Sequence, residues 1–246
     1  MAQHPYQQYC ALARSLDVVG DRWTLLIVRE LTPGPRRFTD LVDGLPGISR
    51  KLLTERLRAL ERDGIVARQE LPPPAARRVY ELTDDGRDLA HSLTPLIAWG
   101  ARRIGERDPS ESFQARWPAV AMAGLADREA AEGVSETYQY LVGDAAFHFV
   151  IDDGSIELRD GRVENPAVTL STHEEMWAEL ASGKTGFSSA VEAGAVGIAG
   201  EPAAVKRLGK IFSRRRLLGQ AKTVGQARAS TVARSAARES GSPLGT

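Results

Sequence analysis

Five hydrogen-bond donors crowd one side of a single helical period. Between Gly47 and Val66, Leu53, Leu57, Leu60 and Ile65 recur at intervals that make an apolar stripe. Ser49, Arg50, Lys51, Thr54 and Arg58 fall on the opposite side. Cations and hydroxyls so placed suit phosphate oxygens and base edges, because a helix fits the DNA major groove and its N-terminal side chains reach the bases. Arg37 before this stretch and Arg77 and Arg78 after it extend the donor set. The last two suit phosphate or minor-groove contact, which supplies affinity rather than sequence choice. An isolated cationic helix face is usually just solvated, so the surrounding elements decide between the two readings.

Catalysis finds no comparable constellation. His4, His91, His148 and His173 are scattered, and Glu174-Glu175 supplies no second metal ligand at helical spacing. Nucleophile-elbow, Walker and dinucleotide motifs are absent from the sequence. Asp152 and Asp153 read as a hairpin turn rather than a carboxylate pair. The expectation is a protein that is not an enzyme and holds no metal or cofactor. The single cysteine, Cys10, excludes an internal disulfide framework and fits a reducing cytoplasm. A lone cysteine on an apolar helix face is more often a small core residue than a reactive thiol.

The elements that must position these donors are short. "YCALARSLDVVG" places Leu12, Leu16 and Val19 at helical spacing and ends at Gly20. "DRWTLLIVREL" follows, with Asp21 placed to cap it, and then "RFTDLVDGL", with Thr39 as its cap. Pro46-Gly47 breaks that helix, Ser49 caps the donor-bearing one, and Gly64 stops it. The period then changes to two in "IVARQEL" and "RRVYELT", which are separated by "PPPAA". Thr83-Asp84-Asp85 opens a long helix with a stripe from Leu89 to Ile104. Helix, turn, helix, hairpin and long helix form the plan of a winged helix-turn-helix.

After the linker at 106–111 the pattern becomes α+β. Strand-like runs "TYQYLV", "AFHFVID", "SIELRDG" and "AVTLST", with "DDG" and "RDG" as hairpin turns, precede "HEEMWAELASGK", "FSSAVEAG", "AVGIAG" and "PAAVKRLGKIF". With 246 residues the chain accommodates two domains. Its zero net charge conceals segregation: residues 1–105 carry +3, residues 106–205 carry −12 and residues 206–246 carry +9. A polyanion would therefore meet the two ends and not the middle. No apolar run reaches the ~18 residues that would cross a bilayer, and the first ten residues do not look like a signal peptide.

Residues 6–104 resemble the HxlR family of winged-helix transcription regulators, which are related to the MarR group. The resemblance is carried by Cys10, "GDRW", "RF..L", "IS.K.LT.RL..L...G" and "R.VYELT..G". It implies a homodimer on double-stranded DNA, with Ser49 to Arg58 as recognition helix and Pro72 to Arg77 as wing. The dimer would form from the first helix and the long helix after Thr83. It also makes Cys10 a candidate redox sensor. "NPAVTLSTHEEMWAELASGKTGFSSAVEAGAVGIAGEPAAVKRLGKIF" resembles the C-terminal half of a sterol-carrier-protein domain. That resemblance implies an antiparallel sheet with helices over residues 112–212, enclosing a tunnel for an apolar or lipid-like effector. Phe147, Phe149, Trp177 and Phe187 are the candidate lining, although any one such aromatic is more often plain core than lining. The expected organisation is a DNA-binding and dimerisation domain (1–105), a linker (106–111), a ligand-binding domain (112–212) and a basic tail (213–246). The alternative is a lipid carrier whose winged helix serves mainly for dimerisation.

Overall fold

The structure is a computed structural model that describes residues 5–70, 78–101, 103–105, 107–108 and 110–213. Arg77 and the expected wing tip lie outside the described residues, as does the tail from 214 onward.

The first unit runs α1 (Ala11–Val19), α2 (Thr24–Leu31), α3 (Phe38–Gly44), α4 (Arg50–Arg62), β1 (Val66–Glu70), β2 (Arg78–Leu82) and α5 (Asp84–Ala101). Leu53, Leu57 and Leu60 of α4 are buried against Ile27, Val28, Leu31 and Leu41, as the apolar period requires. The Ser49 hydroxyl accepts from the Leu52 N–H at 3.2 Å and caps α4. Gly64, at φ +73°, supplies the left-handed residue that turns the chain into β1. β1 and β2 pair antiparallel, with Val66 opposite Leu82. Arg36 adds a third short contact, exchanging both backbone hydrogen bonds with Tyr80 at 2.9 and 2.7 Å.

Two caps differ from expectation. α2 starts at Thr24 because Trp23 sits in the left-handed region, φ +84°, and interrupts the helical run from Asp21. Asp21 instead ion-pairs with Arg56 of α4. α3 is entered at Arg37, whose N–H donates to the Asp40 carboxylate at 3.0 Å, so Thr39 is already inside the helix. The expected stripe of α1 is not core: Leu12 is 67% exposed, and Ala13 is the buried residue of that helix.

The second unit runs α6 (Arg116–Leu125), a 3-10 turn, β3 (Ser135–Val142), β4 (Ala145–Asp152), β5 (Ser155–Asp160), β6 (Val168–Thr172), α7 (Glu174–Ser182), α8 (Phe187–Glu192), β7 (Gly197–Gly200) and α9 (Pro202–Ile211). The sheet order is β5-β4-β3-β6-β7. The expectation of an antiparallel sheet is corrected here, because β3 and β6 run parallel and the sheet is mixed. "DDG" does turn β4 back into β5, whereas "RDG" opens a crossover that carries the chain to the far side of β3. Gln139 and His148 hold that crossover. Gln139 donates to the Phe147 carbonyl and accepts from the Val163 N–H, both at 2.8 Å, and the His148 Nδ1 lies 3.1 Å from the Gly161 oxygen.

Strict alternation along β3 and β4 turns Tyr138, Tyr140, Phe147 and Phe149 to one face, in register as Tyr138–Phe149 and Tyr140–Phe147 pairs. Tyr140 stacks on Phe147 at 5.4 Å, Trp177 closes on both, and Phe149 meets Phe212 at 4.6 Å. Burial and loss of solvation push the Tyr140 hydroxyl far above its ordinary range.

Candidate nucleic-acid interface and the junction behind it

On α4, Ser49, Arg50, Lys51 and Arg58 are exposed, and Thr54 is half-buried with its hydroxyl donating to the Arg50 carbonyl at 2.9 Å. The Arg50 guanidinium lies 6.0 Å from the centre of the Phe38 ring. That contact holds the first α4 cation against α3, beside the helix end where base-reading side chains belong. Arg37 is exposed at the entry to α3. Arg78 is exposed on β2 and ion-pairs with Glu70 at 2.8 Å, a bond that holds the Glu70 carboxyl below the usual carboxylate range. The structure thus brings Arg37 and the α4 donors to neighbouring helix ends and leaves Arg78 on the hairpin. The Arg56–Asp21 pair ties α4 to the turn before α2, fixing the angle at which its outer face is presented.

The remaining candidates separate. Cys10 is an exposed free thiol at the entry to α1 rather than a core residue. Around the first unit Tyr9, Leu12, Leu96 and Trp99 expose large apolar surfaces, on α1 with its lead-in and on α5. Phe147 is in ring contact with both Phe149 and Trp177 inside the second unit, whereas Phe187 is 44% exposed on α8. Among the described residues no helix is long and apolar enough to cross a membrane.

A second cluster joins the two units, and sequence reading missed it. Glu30 of α2 is 1% exposed. Its Oε1 accepts from Arg29 at 3.1 and 2.8 Å and from the Trp117 indole at 2.7 Å. Its Oε2 accepts from Arg116 at 3.2 Å. Arg29 also lies 4.2 Å over the Trp117 ring, and burial depresses its otherwise very high pKa. Gly44 makes room for this carboxylate, because a Cβ there would stand 2.4 Å from Glu30 Oε2. Nearby, Gln114 donates to the Asp43 carbonyl at 2.9 Å. Arg36, 8% exposed, pairs with Asp160 of β5, and its Nε donates to the Glu30 carbonyl at 3.3 Å. The available signal was Glu30 itself, a carboxylate three and one residues from the inward Ile27 and Leu31 in "LLIVREL".

Comparison with known proteins divides the chain at the same place. Residues 18–108 match the HxlR-like helix-turn-helix model, and residues 121–213 match that of the SCP-2 sterol transfer family. Three Bacillus subtilis relatives align with the first unit, each described as an HTH-type transcriptional regulator. YvaP is 38% identical over 97 residues, covering 39% of this chain and 87% of its own. YtcD is 40% identical over 93 residues, covering 37% and 71%. YodB is 39% identical over 85 residues, covering 35% and 76%.

Proposed function

The chain belongs to the HxlR-like helix-turn-helix family, and from that premise we propose that it is a sequence-specific DNA-binding transcription regulator acting as a homodimer. The observation that carries this reading is the outer face of α4. Its cap, Ser49, is in place, its apolar face is locked into the core, and Arg50, Lys51 and Arg58 are left to solvent beside Arg37. Direct base readout falls to Ser49, Arg50, Lys51 and Thr54, while Arg37, Arg58, Arg77 and Arg78 hold phosphates. The exposed Tyr9, Leu12, Leu96 and Trp99 supply an apolar surface for a second copy. Two copies would set two recognition helices about one helical turn, ~34 Å, apart on two-fold-symmetric DNA.

The second unit, similar to a lipid-carrier family, supplies the response to a small apolar effector in this reading. At −12 over residues 106–205 it is a poor partner for DNA, and its contacts to α2 and α3 give it a route to the DNA-binding unit. Cys10, accessible at the entry to α1, remains the candidate oxidant-sensing thiol. Selection from a random DNA pool with the purified protein tests the central reading. An enriched inverted repeat is expected. Binding without any enriched motif, or an unrepeated half-site, would count against it.

A further inference from the structure

A cavity of about 310 Å3 opens where the second unit meets the first. Phe113 and Arg116 from the segment entering α6, Ala146 and Phe147 from β4, Asp160 from the end of β5 and Glu174 from α7 line it. Two of these residues reach across the junction. Arg116 holds Glu30, and Asp160 holds Arg36, whose backbone is paired with Tyr80 in β2.

We propose that this cavity is the effector site, that it takes a small organic cation with a compact apolar body, and that occupancy acts on the DNA-binding unit by competing with Arg36 for Asp160. The proposal rests on the reading that a small molecule modulates DNA binding, and it names the place and the chemistry. Size is the first argument: about 310 Å3 stands at the low end of ligand cavities, which run from roughly 300 to 1,000 Å3. An aromatic or branched amine fits that space better than a sterol-sized body. Charge is the second. The Arg116 guanidinium is engaged by Glu30 and Gln114, and Asp160 is engaged by Arg36. Glu174 is exposed and makes no ion pair or hydrogen bond among the described residues, so a carboxylate is left over at the wall. The Phe113 ring already holds one cation by its face, the Arg107 guanidinium at 5.5 Å.

The route to DNA is the third argument. Arg36 is nine-tenths buried and its Nη2 has no hydrogen-bond partner among the described residues. If an ammonium group drew Asp160 toward the cavity, the guanidinium would keep only its bond to the Glu30 carbonyl and would have to move. Its own backbone is part of the hairpin ladder, so that movement is delivered to β2. Packed elements with two arrangements convert such small shifts into larger ones.

The test uses the full chain, phenethylammonium as probe, and phenylacetate and phenethyl alcohol as charge-reversed and neutral controls. Saturation-transfer NMR reads binding, and fluorescence anisotropy on a selected DNA site reads the response. Phenethylammonium is expected to bind best and to change DNA affinity at least fivefold, within the usual range of allosteric couplings. E174Q, a surface change, should weaken the probe about tenfold, and A146W should fill the cavity and abolish binding. D160N should bind the probe while leaving DNA affinity unresponsive to it. Equal binding of the three probes, or probe binding untouched by both E174Q and A146W, overturns the site. DNA affinity that responds to dodecanoate but to no amine overturns this inference and leaves small-molecule regulation standing. Sequence-specific DNA binding that responds to neither overturns both.

Discussion

Replacing Glu30 by alanine is the sharpest perturbation the junction offers. Its carboxylate accepts four hydrogen bonds, two from Arg29 within the first unit and two from Arg116 and Trp117 of the second. Removal strands two guanidinium groups and an indole N–H around a space that is 1% exposed. Breaking a buried ion pair by deleting one partner costs about 3–5 kcal/mol. The Arg29 and Arg116 side chains keep 20% and 23% of their exposure, so water rescues part of the loss and the lower end, about 3 kcal/mol, is expected. R116A removes one of the four bonds to this carboxylate and should cost less, about 1.5–3 kcal/mol. Because the two side chains touch, the double variant should show a coupling of about 0.5–3 kcal/mol. Urea unfolding of the four proteins, followed by tryptophan fluorescence, measures this. Trp23 and Trp99 report the first unit, Trp117 and Trp177 the second. Strict additivity, or an E30A cost under about 1 kcal/mol, would refute the claim that this carboxylate joins the units.

R50A and K51A should weaken binding to the selected site while leaving the melting temperature unchanged, since both side chains are exposed. A lost base contact costs about 1–3 kcal/mol and a lost phosphate contact lowers the salt slope by about one; titration at several salt concentrations separates them. W99E, placed on a surface 48% exposed and flanked by the stacked Arg103, should leave the fold intact and shift the protein to monomer in sedimentation velocity. An unchanged oligomeric state would move the interface elsewhere. Hydrogen bonding from Arg207, helped by the Tyr138 hydroxyl at 2.6 Å, holds Glu136 below the ordinary value of 4.5. A carboxyl depressed in the folded state stabilises above the unfolded pKa, and that stabilisation fades as pH falls through the folded one. R207Q should therefore flatten the loss of stability below about pH 4.5. Parallel melting curves of R207Q and wild type against pH would contradict this.

What was legible in the sequence followed from local periodicity. Leu53, Leu57 and Leu60 fix which side of α4 is inward, and Ser49 and Gly64 mark its ends through short-range hydrogen bonding and backbone conformation. The alternation at Tyr138, Tyr140, Phe147 and Phe149 likewise shows one inward face. It does not say whether inward rings line a tunnel or meet one another, because that depends on how closely α7 and α9 approach. Trp177 and Phe212 come close enough for the rings to touch. The direction of β6 was equally hidden. A Gly after Asp160 fits either a hairpin or a crossover, and the choice is made by Gln139 and His148, more than ten residues away in sequence.

The junction was hidden for the same reason, and it bears most directly on function. Arg116 and Trp117 read as the start of an ordinary helix, and Gly44 as the end of another. In space the second unit grips the last turn of α3 at two points, directly through Gln114 on the Asp43 carbonyl and indirectly through Arg116 and Trp117, which hold the Glu30 carboxylate against Gly44. Leu45 and Ile48, both buried, are the anchors of the turn that leads from there to Ser49 and the donor end of α4. A third grip, Asp160 on Arg36, reaches the hairpin that carries Arg78. The α3–α4 turn and the hairpin are the parts whose relative placement decides whether a recognition helix and a wing can engage one duplex together. A unit whose −12 charge makes it a poor partner for DNA can still bias DNA affinity, provided its states differ in how they hold these two points.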